Sequence, residues 1–178
     1  MNEDYAIQLA VQQIAPAEDY SPKAYWDVNG YAVGYGFHYY ADGRSVQQGD
    51  TMTKDVADAY VYTVARGKWR AIKPCITVDL NENQAAALID LAYNCGEGLV
   101  CDSKLLQLIN AGAEASEISF QFEQTCTTAG GKYMSILYQR RVNEMQLFWS
   151  NVTNYAKINP EVILVGGIVI VGIFGFLL

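Results

Sequence analysis

The chain has 178 residues, enough for one compact domain and an appendage but not for two full domains. It is 51% apolar and 17% charged, a balance that excludes global disorder. With 12 basic against 19 acidic residues the net charge is −7 and no basic stripe is visible, so no nucleic-acid partner is expected.

The elements follow in chain order. Residues 1–15 carry Glu3 and Asp4 and lack a basic stretch before a continuous apolar core, so they do not read as a signal peptide. They read instead as an amphipathic helix, with Tyr5, Ile7, Leu9, Val11 and Ile14 broadly on one side. Pro16 and Pro22 bracket the next stretch, which carries Glu18. From Tyr25 to Val46, aromatic and β-branched residues alternate with the turn signals Asn29-Gly30, Gly34, Gly36 and Asp42-Gly43. A small twisted sheet of two or three strands is expected there.

Helices follow. Thr53 is placed to cap a helix running to Ile72, with Asp55 in its first turn and Pro74 blocking its continuation. Asn81 and Gln84 have capping-box spacing, and the helix they open carries Leu88, Leu91, Ala92 and Cys95 at core spacing up to Gly96. Short helices are expected over Ser103 to Ala111 and Ala115 to Gln124. The chain breaks at Gly130-Gly131, and a last helix, Lys132 to Ser150, should present Met134, Leu137, Tyr138, Val142, Met145 and Trp149 to the core. The fold class is therefore α+β, with a small N-terminal sheet lobe, a larger helical lobe and a cleft between them.

The cysteines, Cys75, Cys95, Cys101 and Cys126, form no C-x-x-C pair, and the single histidine, His38, is distant in sequence. No metal site and no cofactor are expected. Buried free thiols and one or two disulfides are both open readings, with three pairings available.

Cleavage of a glycosidic bond usually needs two carboxyl groups flanking it, one protonated and one ionised. Glu18, where the first helix ends, and Asp27, where the β region begins, are candidates, although such a pair alone is weak evidence. The surroundings add to it. Glu18-x8-Asp27, Gly30 and Val33-Gly34-Tyr35-Gly36 resemble the active-site segment of the phage-type lysozymes, glycoside hydrolase family 24. Four further stretches resemble that family in the same order: GRSVQQGDTMT from Gly43, NQAAALIDLAYNCG from Asn83, SKLLQLINAG from Ser103 and GGKYMSILYQRRVNE from Gly130.

The resemblance implies a lysozyme-like two-lobe fold and a muramidase acting on bacterial peptidoglycan. Glu18 is then the general acid that protonates the glycosidic oxygen, a role that asks for partial burial. Asp27 stays ionised and orients water or stabilises positive charge on the sugar. Gly34 and Tyr35 belong to the segment that completes the site. Arg141 either helps to hold Glu18 or pairs with Glu144 on its own helix.

The sequence departs from the family at Ala32, where a threonine hydroxyl is expected. The family's histidine position falls on Phe37, with His38 displaced by one. Three consequences are open: hydrolysis with Asp27 alone positioning water, attack by the sugar's own 6-hydroxyl as in lytic transglycosylases, or glycan binding without turnover. His38 is a candidate replacement base.

Val162 to Leu178 is a run of 17 apolar residues. As a helix it would span about 25 Å, against about 30 Å for a bilayer core. The expected organisation is thus a lysozyme-like domain over residues 1–157 and a hydrophobic transmembrane helix within 158–178, with a lipid bilayer as partner through 162–178. Such tethering suits an enzyme carried in a phage virion, in an internal membrane or a tail device beside other virion proteins. It also suits one held at the host inner membrane and acting in the periplasm.

Overall fold

The computed structural model describes residues 1–150, together with the backbone of 162–165 and 168–171. Helix α1 (Glu3–Ala17) starts at Asn2, whose side chain accepts the Tyr5 N–H at 3.1 Å, with Glu3 and Asp4 in the first turn against the helix dipole. Its buried face carries Ala6, Ile7, Leu9, Ala10, Val11 and Ile14, and Pro16 sits in its last turn. Proline removes a helical donor there, and the chain turns extended at Glu18 (φ −104°, ψ 122°).

The sheet lobe takes the smaller of the two expected forms. Strands β1 (Ser21–Asp27) and β2 (Gly30–Gly34) form an antiparallel hairpin in which Tyr25 faces Ala32, Trp26 faces Tyr31 and Asp27 faces Gly30. In place of a third strand there are single bridges, Lys23 to Thr51, Val33 to Phe37 and Tyr39 to Ser45. Three phenol hydroxyls tie this lobe to the helices beside its apolar seam. Tyr35 donates to Asp58 at 2.6 Å, Tyr60 donates to the Tyr39 carbonyl at 3.0 Å, and Tyr93 donates to the Tyr35 carbonyl at 2.9 Å.

Six further α-helices follow among the described residues, α2 (Lys54–Ile72), α3 (Glu82–Cys95), α4 (Glu97–Asp102), α5 (Lys104–Asn110), α6 (Ala115–Gln124) and α7 (Ser135–Trp149). Side chains cap the starts of three of them, α2, α3 and α5. Thr53 caps α2, and Asn81 with Gln84 forms a complete capping box on α3. Asn83 and every residue from Ala85 to Ala92 are buried, so α3 is wrapped on all sides, chiefly by α1, α2 and α7. Helix α4 was not expected; Gly96 (φ 89°) ends α3 and caps α4, allowing two helices to abut across one residue.

The last helix differs from expectation twice. Lys132–Tyr133 is not helical but pairs as strand β4 with β3 (Thr128–Ala129). The buried face of α7 is Arg140, Arg141, Glu144, Leu147 and Phe148, whereas Met134 and Trp149 are exposed. Charged residues reach the interior because they are paired. Arg140 donates to Asp90 of α3 through Nη2 at 2.6 Å and Nε at 3.2 Å, and Arg141 donates to Glu144 one turn on and to Cys95 Sγ at 2.8 Å. Burial first, and then the Asp90 charge, push the Glu144 carboxyl well above the usual range, against the opposing pull of Arg141 and Arg140.

All four cysteines are bonded, Cys75 to Cys101 and Cys95 to Cys126. The first bridge joins the end of α2 to α4; the second joins the end of α3 to the α6–β3 connection.

In the tail, Val162–Val165 and Ile168–Val171 pair as antiparallel strands β5 and β6. Extended backbone thus stands at eight positions where a continuous helix was expected. The rest of 158–178, and the expected boundary after residue 157, lie outside the described residues. Among the described residues no helix is long and apolar enough to cross a membrane.

Two predictions arise here. Non-reducing peptide mapping should return the two cysteine pairs, and a thiol reductant should lower the melting temperature. Loops of 26 and 31 residues correspond to about 3–4 kcal/mol for each bridge. Second, Arg140→Met strands the buried Asp90 carboxylate and should cost about 3–5 kcal/mol in chemical unfolding. Adding Asp90→Asn should recover part of that loss; unchanged stability in the single variant would contradict the role given to the pair.

Candidate active site

Glu18 is the C-terminal cap of α1. Its N–H still donates to the Ile14 carbonyl at 3.0 Å, while its side chain, 26% exposed, has left the helix surface. Arg140 Nη1 donates to Glu18 Oε1 at 2.6 Å. One guanidinium therefore serves two carboxylates, gripping buried Asp90 with one edge and orienting Glu18 with another. Burial pulls the Arg140 pKa down, but the charges and hydrogen bonds of Asp90 and Glu18 outweigh it and hold the pKa above its ordinary value. The site keeps a permanent cation under the Glu18 carboxyl.

Arg141, the sequence candidate for this support, does not reach Glu18. Consecutive side chains on a helix diverge by about 100°, so Arg140 and Arg141 face different ways. Arg141 is wholly buried against Glu144 and Cys95. Asp90 was missed altogether, though an aspartate inside the apolar run Ala85-Ala86-Ala87-Leu88-Ile89-Asp90-Leu91-Ala92 is a legible signal. A charge at the centre of a buried helix demands a partner.

Asp27 closes β1. Its Oδ1 accepts the Val28 N–H at 2.7 Å, and its Oδ2 lies 3.2 Å from His38 Nε2. His38 Nδ1 lies 3.2 Å from the Tyr31 carbonyl oxygen. Strand alternation sends Val33 into the core and leaves Ala32 on the opposite face, across from Tyr25. Ala32 is fully buried and offers no hydroxyl. Gly34 (φ 68°) is forced, since a Cβ there would lie 2.9 Å from both Met52 Sδ and the Phe37 ring. Tyr35 is buried, with its hydroxyl between Asp58 and Lys54, so it supports the lobe from beneath.

The surface around these groups is a chain of hollows. A cleft of about 480 Å³ is lined by Pro16, Glu18, Asp90, Asn94, Ile136 and Arg140. A second, of about 360 Å³, is lined by Phe37, His38, Tyr39, Tyr60, Lys68 and Tyr93. Glu18 lines the first of these hollows and His38 the second. The Tyr25 phenol is pushed up by burial and then by the charges of Asp27, Glu18 and Asp19. The Tyr93 phenol is likewise raised by burial and then by Glu18, while its ring lines the His38 hollow. Among the described residues no cluster of His, Cys, Asp or Glu is placed to hold a metal ion. What the arrangement offers is a partly buried carboxyl over a fixed cation, a second carboxylate across a tyrosine-lined surface, and the donors that orient both.

The sequence pattern of the family described as phage lysozyme matches residues 15–144, from just before Glu18 to Glu144. The endolysin of Salmonella phage P22 is 32% identical over 130 residues, covering 72% of this chain and 86% of that protein. The endolysin of Bacillus phage PZA is 29% identical over 169 residues, covering 86% of this chain; the chain spans 61% of that relative's length. Among solved structures, the endolysin from Escherichia coli O157:H7 phage FAHEc1 superposes with a TM-score of 0.72 at 25% identity, over 82% of this chain and 93% of that one. On the fold, the site segment and these matches together, the chain belongs to the phage lysozyme family.

Proposed function

We propose that the chain is a muramidase that cleaves the β-1,4 bond between N-acetylmuramic acid and N-acetylglucosamine in peptidoglycan. The observation that carries this reading is the Glu18 carboxyl, half out of the interior at the end of α1 and held from below by Arg140. Glu18 donates its proton to the glycosidic oxygen as the bond to the anomeric carbon breaks. The carboxylate left behind is met by the Arg140 cation, so charge develops beside a fixed partner and little reorganisation is needed. Asp27 stays ionised and faces the positive charge growing on the sugar. It orients the attacking water and takes its proton.

Ala32 favours a second reading of the same site. With no hydroxyl at that position to share the water, the sugar's own 6-hydroxyl becomes the competing nucleophile, and the product is a 1,6-anhydro ring. A third reading keeps the glycan bound without turnover.

The tail gives the reading its setting. Val162 to Leu178 has no charged or polar side chain, and an exposed apolar run of this length needs a covering surface. A bilayer meets that need, as would a neighbouring virion protein. A two-stranded hairpin alone has open edges that a hydrocarbon core leaves unsatisfied, so such a tail crosses lipid as a helix or in an assembly, and otherwise lies at the interface. Both virion carriage for local wall opening at entry and retention at the host inner membrane until lysis fit this attachment.

Glu18→Gln keeps the shape of the side chain but has no proton to give, and should lower turbidity clearing of purified peptidoglycan by about 10²–10⁴-fold with the fold intact. Near-native clearing would remove Glu18 from the role of acid. Mass spectrometry of the products separates the chemistries: reducing ends mean hydrolysis, 1,6-anhydro ends mean transglycosylation, and no products mean binding alone. For the tail, the full chain should sediment with membranes and resist high-salt extraction, whereas a chain ending at Lys157 should remain in solution with its melting temperature unchanged. A shortened chain that aggregates or melts far lower would place the tail against the domain instead.

A further inference from the structure

Both nitrogens of the only histidine in the sequence are engaged, and the chemistry of their partners fixes the state of the ring. Nδ1 faces the Tyr31 carbonyl oxygen, which only accepts, so Nδ1 has to donate. Nε2 faces Asp27 Oδ2 at 3.2 Å, and an ionised carboxylate also only accepts. A neutral imidazole has one N–H. The two contacts coexist only when His38 and Asp27 together hold one proton more than a neutral ring and a carboxylate, as an imidazolium–carboxylate pair or with that proton on Asp27.

Asp27 needs such a clamp. It ends a strand beside a two-residue turn, its side chain is 44% exposed, and among the described residues its other oxygen is held by the Val28 N–H next in sequence. Across the hairpin Asp27 faces Gly30, which has no side chain, and buried Ala32, opposite Tyr25, has no hydroxyl. The geometry points to His38 as the positioning residue of Asp27: it holds the second carboxylate oxygen while Val28 N–H holds the first, and does so only while protonated. This rests on the muramidase reading of the site.

The titratable groups around the ring are Asp27 and Tyr31 on the hairpin, Tyr39 beside it, Tyr60 and Lys68 on α2 and Tyr93 on α3. Lys68 is committed to Glu97 at 2.6 Å. Burial pushes the Tyr60 and Tyr93 phenols up, with Asp42 and Glu18 respectively adding to it, so neither ionises near neutrality. Loss of the proton turns the Nε2 lone pair towards the carboxylate, and the clamp opens.

A single histidine makes the test unambiguous. In the full chain with nitrogen-15-labelled histidine, the ring resonances should report both nitrogens protonated at the acid end of a pH titration. Asp27→Asn, which removes the opposing charge, should move the midpoint to lower pH; an unmoved midpoint overturns the pairing. On purified peptidoglycan, His38→Gln, which still presents a donor, should keep kcat within about threefold and lose the pH response of the clamp, while His38→Leu should lose about tenfold or more in kcat at little-changed KM. Equal losses in the two variants, or none in either, overturn the positioning role, with circular dichroism excluding unfolding. If the unsubstituted chain cleaves nothing, the muramidase reading fails, and the resonance titration still decides whether the pair exists.

Discussion

A single guanidinium organises the site and much of the core. Arg140 projects from α7 through the apolar packing, is gripped by Asp90 at the centre of α3, and reaches Glu18 at the end of α1. Three elements far apart in sequence are thereby fixed to one planar group, and a guanidinium suits this because its donors are rigidly disposed along several edges. The arrangement also explains why the buried face of α7 is so polar. Charges taken out of water are tolerable when each meets a counter-charge at hydrogen-bond distance, and Arg140 and Arg141 both do. The direction in which the Glu18 carboxyl points is thus set from the core.

The second carboxylate is built the opposite way. Asp27 is on a hairpin tip, held by the N–H of its neighbour and by a histidine eleven residues on that the irregular chain after β2 brings back. One carboxylate is oriented by a buried permanent cation and the other by exposed contacts, one of which depends on a proton. Divergent surroundings are what let two like groups take different parts in one reaction.

Much of this was legible in the residues. The starts of α2, α3 and α5 were readable because Thr53, Asn81 and Ser103 act locally on the backbone next to them. Glu18 and Asp27 were marked by their spacing and by the glycine-rich segment after them. What was not legible depended on pairing across the chain. Hydrophobic periodicity put Met134 and Trp149 in the core of α7, because it does not foresee that Arg140, Arg141 and Glu144 would find partners inside. Two adjacent arginines look alike in sequence, and only the helix phase tells which one meets Glu18. The partner of His38 and the cysteine pairing were hidden for the same reason, since both are set by how distant segments fold back. The sequence did warn of Asp90, by placing a charge where nothing but aliphatic residues surrounded it.

The two disulfides close loops inside the helical lobe and use every cysteine in the chain. The sheet lobe has no covalent tie to the helices beyond the backbone itself. An apolar seam and the hydroxyls of Tyr35, Tyr60 and Tyr93 hold it, and such hydrogen bonds contribute only about 0.5–1.5 kcal/mol each to a carbonyl and about 1.5–3 kcal/mol to the Asp58 carboxylate. Glu18 is set against the stapled body, whereas Asp27 and His38 ride on the unstapled part. The separation between the Glu18 and Asp27 carboxyls is therefore held by noncovalent contacts alone, and on the proposed reading it is a distance that a glycan strand seated between the lobes would strain.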